Sequence, residues 1–422
     1  MDFKRFSVLL IVLVSAVCAT TTRITFKNVK LLNNLHVEVR TIQSSKTLSK
    51  HIPKENFTML EVTGRIPVLY ENSVTNISNV RHLSFFRNEM REIKPGAFKN
   101  FIDVKKLAIT ANNLGTITKG VFDRLTILEL SLRYDRITTI PKRALRKLPR
   151  LQSLNLCGNY LEIVNEGVFD GINKIEVLDL SRNRIFTFPK LFFKNLNNLK
   201  LLFLSQNRFE VLEERIFDDL PQLRVLALGD NNIVKISRGV FVAPNLEQLV
   251  LSGNKISYID LAAFDGLPKL ASIDLSSNKI KKFEPSWFDN NVEIYRLLFG
   301  HNLIENLPEQ AFENLDENAE ICFEHNRIKK LAPEAFHGLK SVGRLNLEGN
   351  LLEKWNENLL ASVEFVQDLN LQNNKIGCLG GNLDNVFVAN CTYLSLNPLF
   401  ETCLLLIERW IKQNPQKNVF VM

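Results

Sequence analysis

Little in this sequence of 422 residues points to catalysis. It has no phosphate-cradling Walker loop, no Gly-x-Ser-x-Gly elbow, no His-Glu-x-x-His and no Cys-x-x-Cys pair. Without such groupings of nucleophile, base and metal ligands, neither an enzyme nor a cofactor is expected. After the N-terminus no stretch reaches about 18 uncharged apolar residues, so no later segment is expected to span a bilayer. The C-terminal WIKQNPQKNVFVM lacks the hydrophobic tail of a lipid-anchor signal. Linkers rich in Pro, Gly or Ser are missing, and so is any heptad run. The net charge of +8 is scattered rather than blocked, which points only weakly to anionic partners, and no nucleic acid is expected.

What is present is uneven. Twenty-nine Phe stand against six Tyr and three Trp, which hints at a repeated Phe position. At 45% hydrophobic and 23% charged, the chain can bury a core. Lys4 and Arg5 precede an apolar stretch from Phe6 to Val14, then Val17-Cys18-Ala19. This is the order of a secretory signal peptide over residues 1–19, with cleavage after Ala19. The mature chain is therefore expected to be secreted and extracellular, with no membrane anchor.

The stretch LQSLNLCGNYLEIVNEGVFDG, residues 151–171, shows a pattern that recurs along the chain. Leu-x-Leu-x-x-Asn-x-Leu is followed by Phe ten residues after the Asn. The Asn position is filled at Asn88, Asn112, Asn159, Asn183, Asn207, Asn231, Asn254, Asn278, Asn302, Asn326, Asn350 and Asn374, and by Asp135 once. The step is 24 residues, shortened to 23 before Asp135 and before Asn254. That period and those residues form a leucine-rich-repeat pattern. The expected fold is an α/β leucine-rich-repeat solenoid, a curved horseshoe with a parallel β-sheet on its concave face and flanking caps.

Each position has a mechanical cause. Leu-x-Leu makes a short strand with Leu inward and x outward, and strands of successive turns pair at about 4.8 Å. The following turn leaves backbone groups that must be paired, and Asn offers both a carbonyl and an amide to do so. Asp135 keeps the acceptor and loses the donors, so its turn is expected to be the loosest. Phe rings fill the opposite side of each coil. One repeat buries little, so both ends need caps.

Four segments follow: the signal peptide 1–19, an N-terminal cap with degenerate repeats over 20–79, repeats over 80–376, and a cysteine-containing cap over 377–422. In the first cap, ITFKNVKLLNNLHVEV alternates on both sides of Asn33-Asn34 and reads as a hairpin. In the second, Leu399, Leu406 and Trp410 are expected to cover the last coil from one helix. Removal of Cys18 leaves Cys157, Cys322, Cys378, Cys391 and Cys403. A disulfide is expected among Cys378, Cys391 and Cys403, with the pair left open and Cys322 excluded. An odd thiol also leaves room for an intermolecular disulfide. Asn56, Asn76 and Asn390 head glycosylation sequons.

These repeats resemble the Phe-spined, extracellular class of leucine-rich-repeat proteins over roughly residues 60–412. That class includes Toll-type receptor ectodomains, Slit-like and connectin-like adhesion proteins, and mosquito leucine-rich immune proteins. NPLFETCLLLIERWI resembles the C-terminal flanking domain of such proteins. A short secreted chain without coiled coils is most similar to a coil-less insect leucine-rich immune protein. The resemblance implies recognition of a protein partner or a microbial surface pattern in innate immunity. The alternative it leaves is an adhesion or guidance protein acting between cells.

The register locates outward residues of the sheet. Val177, Leu201, Phe203, Val225 and Val250, with Ala227, are expected to form an apolar patch rimmed by Asp179, Asp230 and Asp274. Such patches mark interaction sites, although scattered apolar residues tolerated on the sheet are the alternative. Just after the Asn positions, Arg184, Arg208, Lys255 and Lys279 form a basic ladder, either a polyanion site or a solvated edge. His301 and His325, one turn apart with Glu324 beside them, are a weak candidate for a metal, against surface coincidence.

Overall fold

The computed structural model describes residues 24–315 and 317–421; the expected signal peptide lies outside them. The chain divides into two compact units. One reaches to Tyr160 and takes in Gly167–Ile172, and the other comprises Leu161–Glu166 and the residues from Asn173 onward.

The first unit opens on the hairpin expected around Asn33-Asn34. Strands Phe26–Asn33 and Glu38–Ser45 pair antiparallel, and Asn33 Oδ1 closes the turn by accepting from the amides of Leu35 and Val37, both at 3.0 Å. Phe26–Asn33 also pairs antiparallel with Phe57–Thr63. From there the pairing is parallel, through Val80–Phe86, Lys106–Thr110, Glu129–Ser131 and Ser153–Asn155. The hairpin thus covers an edge that would otherwise present unpaired backbone groups.

In the second unit, a continuous parallel ladder runs from Val177–Asp179 to Asn418–Phe420. The solenoid carries little helix. Among the described residues the α-helices are Leu383–Val386 and Glu401–Gln413, both in the C-terminal cap. The returning segments are turns with short strand pairs such as Lys235–Ile236 against Tyr258–Ile259. A step of 24 residues must hold a strand, the Asn turn and the Phe position, which leaves little length for a helix of about 11 residues.

The Asn positions are buried and bonded as their chemistry requires. Asn231 accepts from Phe209 N at 3.2 Å and donates to the carbonyls of Leu204 and Leu228 at 3.1 and 2.9 Å. Behind them the Phe rings stack coil on coil. Phe193, Phe217, Phe241, Phe264 and Phe288 follow one another at centroid distances of 6.0, 6.0, 6.1 and 5.5 Å. In the first unit, Asp135 is completely buried and accepts from Asn112 N at 2.7 Å. Its burial is not what an expected loose turn would show, and that burial holds its carboxyl above the ordinary value.

The cap is held by the disulfide Cys378–Cys403, with Cα atoms 5.5 Å apart. Cys157 and Cys322 are buried free thiols and Cys391 is a half-buried one. In helix Glu401–Gln413 the bridge turns Cys403 inward, and Ile407 follows one turn later, both buried. Leu406 therefore points away and is 56% exposed, a correction to its expected covering role. Trp410 leans on Phe387 at 4.7 Å and donates its indole N–H to Asp384 Oδ1 at 2.7 Å. Substituting Cys378 with Ser is expected to destabilise the cap by about 2–4 kcal/mol. Peptide mapping of the unreduced protein checks the pairing, and a calorimetric scan of the variant checks the loss.

Candidate interaction face

The outward face of the second unit is set by three-residue strands. Their central residues, Leu178, Leu202, Leu226 and Leu249, are fully buried. The residues on either side must therefore project outward. Val177, Leu201, Val225 and Gln248 lie side by side in one row, while Asp179, Phe203, Ala227, Val250 and Asp274 form the other. Gln248 is exposed; the other eight are half-buried by their neighbours and still reach solvent. The structure thus brings together Val177, Leu201, Phe203, Val225 and Val250, with Ala227 between the last and Phe203.

The borders of this patch differ on its two sides. Before the strands, Glu176 and Lys200 pair at 2.8 Å, and Arg224 and Glu247 at 2.6 Å. Sequence reasoning missed these ion pairs, although opposite charges at the same offset of adjacent coils were visible. After the strands come small residues, Ser181, Ser205, Gly229, Ser252 and Ser276, so the patch has no wall there. Asp179 Oδ1 accepts from the amide and hydroxyl of Ser181 at 3.0 and 2.5 Å. Asp274 does the same with Ser276 at 2.9 and 2.6 Å. Asp230 is exposed beyond this border and accepts from Gln206 Nε2 at 3.3 Å. The carboxylates are thereby oriented, and apolar contact is offered by an open surface.

The other candidates are placed less favourably. Arg184 and Arg208 approach Glu162 at 3.6 and 4.0 Å, so two rungs of the basic ladder share an acidic neighbour. Lys255 and Lys279 are exposed. The rings of His301 and His325 stack with centroids 4.6 Å apart, while Glu324 Oε2 accepts from Asn346 Nδ2 at 3.3 Å. Among the described residues no group of three or more His, Cys, Asp or Glu is arranged to hold a metal. Cys322 lies in the outward row beside Leu298 but is buried. Burial, with Glu324 and Glu320 nearby, pushes its thiol up to about 12, so it is an inert group. Asn56 and Asn76 are exposed, whereas Asn390 is half-buried and donates to Gln367 Oε1 at 3.0 Å. No helix among the described residues is long and apolar enough to cross a membrane.

Comparison with known proteins agrees with this architecture. The Leucine rich repeat family profile matches residues 126–185, 173–233, 221–280, 268–317 and 323–376, more than half of the chain. A BspA type Leucine rich repeat region matches residues 20–129. Human leucine-rich repeats and immunoglobulin-like domains protein 1 is 38% identical over 93 residues, 22% of this chain and 8% of that protein. The chain spans between 8% and 35% of the length of such curated relatives. Among solved structures, a leucine-rich-repeat protein of Leptospira interrogans superposes with a TM-score of 0.60 at 21% identity, covering 81% of this chain and 90% of that one. The LRIM1/APL1C complex gives 0.57 at 18% identity, covering 85% of this chain and 65% of that one.

Proposed function

The chain belongs to the leucine-rich-repeat family, and from that premise we propose that it is a secreted recognition protein of innate immunity. In this reading it captures a protein partner through the outward sheet face of its second unit. The observation that carries the reading is the apolar patch of Leu201, Phe203, Val225 and Val250, assembled from neighbouring strands in one register. An aromatic ring among aliphatic neighbours is the usual composition of a binding hot spot. Oriented carboxylates at Asp179 and Asp274 favour a partner with donor or cationic groups around an apolar centre. A structural neighbour, LRIM1/APL1C, is itself an assembly of two proteins, which supports the choice of a protein over a microbial glycan. Cys391, half-buried and unbridged, is the proposed position for any intermolecular disulfide.

Substitution of Phe203 with Asp tests the reading. Folding is expected to survive, because the residue projects away from the core. Affinity for a partner purified with the wild-type protein from body fluid is expected to fall about thirtyfold, equivalent to about 2 kcal/mol. Phe186→Asp, an exposed position outside the sheet, serves as the control. Unchanged affinity of a folded Phe203→Asp variant would remove the patch from consideration.

A further inference from the structure

The second unit has a cleft of 870 Å³ away from the sheet, between the returning segments of two successive coils. It lies within the size range of small-molecule sites. One wall is apolar and built on buried rings. Phe188 packs against Phe192, Phe193 and Phe209 at centroid distances of 4.5, 5.1 and 5.3 Å. Leu191 and Ile216 extend this wall, and Leu191 is 52% exposed.

The backbone at two cleft residues is left-handed. Leu191 and Arg215, both lining it, have φ of +62° and +61°. Each stands two residues before its coil's Phe, a position that is left-handed along the repeats: Gly239, Ala262 and Gln310 stand there in later coils with φ of +76°, +59° and +51°. A left-handed backbone costs an L-residue energy that glycine does not pay. Exposed Leu191 gains little core packing in return.

Charge defines what would enter. Glu213, Glu214, Asp218 and Asp219 line the cleft against Lys190 and Arg215. Arg215 is already engaged, its Nε donating to Asp218 Oδ2 at 2.5 Å. Asp218 Oδ1 is buried with no hydrogen-bond partner. The lining therefore joins an apolar wall to an excess of carboxylates.

We propose that this cleft binds an amphipathic cation. An aliphatic or aromatic body rests on Phe188, Leu191 and Ile216, and an ammonium or guanidinium group sits among Glu213, Glu214 and Asp218. An anion of the same shape is repelled, and a neutral one leaves the carboxylates uncompensated. The site is separate from the sheet face, and its test does not depend on the partner proposed there.

Calorimetric titration of the full chain with octylammonium, octanoate and octanol, each below its aggregation concentration, tests this proposal. Saturable one-site binding is expected for octylammonium, weaker binding for octanol and none for octanoate. Replacing Glu213 and Glu214 together with Gln is expected to weaken octylammonium binding about tenfold, the sum of two exposed ion pairs. Leu191→Gly is expected to raise the melting temperature by relieving the left-handed strain while weakening octylammonium binding. Phe203→Asp is expected to bind octylammonium like the wild type. Octanoate binding as tight as octylammonium, or a folded Leu191→Gly variant with unchanged affinity, overturns the proposal.

Discussion

Replacing Asn231 with Ala is expected to lower the melting temperature sharply, while Ala at Asn232 leaves it nearly unchanged. The two residues are adjacent and chemically identical, so the difference isolates position. Asn231 is 6% exposed, accepts from Phe209 N, and donates to the carbonyls of Leu204, Leu228 and Gly229. Alanine leaves the buried amide of Phe209 without this partner, at about 1–3 kcal/mol for a group that water cannot reach. Leu228 O keeps the amide of Asn254 at 3.0 Å, Leu204 O that of Asn207 at 2.9 Å and Gly229 O the backbone amide of Gln206 at 2.9 Å, which limits the loss on these carbonyls. Asn232 is half-buried, and its backbone amide donates to Phe209 O at 2.9 Å. Alanine retains that bond. Because each coil contacts only its neighbours, the damage should spread to adjacent coils as a local loss of hydrogen-exchange protection. Equal melting temperatures for the two variants would show that the Asn ladder does not hold this fold.

At Asp135 the expected result is a gain, and a pH-dependent one. Burial raises its carboxyl from the ordinary value of 3.8 to about 8, against the lowering effect of the hydrogen bonds from Asn112. Asp135 Oδ2 is buried with no hydrogen-bond partner. Between about pH 4 and pH 8 the folded chain holds this proton and the unfolded chain has released it. Stability then falls as pH rises, by up to about 1.4 kcal/mol per pH unit, and the loss is complete once pH passes the folded value. Asp135→Asn removes the ionisation and restores a donor. The neighbouring carbonyl of Leu132 already accepts from Asn159 at 2.7 Å. A second amide donor there would copy the arrangement at Leu228, which accepts from both Asn231 and Asn254. The variant is expected to melt higher than the wild type at pH 8 and close to it at pH 4. A difference that stays constant across this range would show that Asp135 does not titrate in the folded chain.

These two predictions differ in how they could be reached. The importance of Asn231 over Asn232 is legible in the repeat alone, because the phase assigns one residue to the ladder and the other to its edge. The same phase places Leu202 inward and Phe203 outward, and it brings Leu201 beside Val225. For Asp135 the sequence shows a lost donor, and reasoning from that loss alone predicted a loose turn. The structure shows a tightly buried acid, since neighbouring coils enclose the position whatever residue fills it.

The sequence by itself determined the coil register, the buried ladder, the Phe stack and the rows of the sheet face. A solenoid makes this possible: contacts repeat with the period, so one coil's pattern specifies which residues meet in the next. Only the tertiary structure decided features outside that periodicity. It chose Cys403 over Cys391 as the partner of Cys378, because a bridge needs Cα atoms within reach, 5.5 Å here. That bridge in turn set the rotation of helix Glu401–Gln413, burying Ile407 and exposing Leu406. The tail strand Asn418–Phe420, the approach of Glu162 to Arg184 and Arg208, and the cleft beside Leu191 likewise come from three-dimensional placement. Side-chain direction and the packing of non-repeating segments depend on the whole neighbourhood, and no local spacing encodes it.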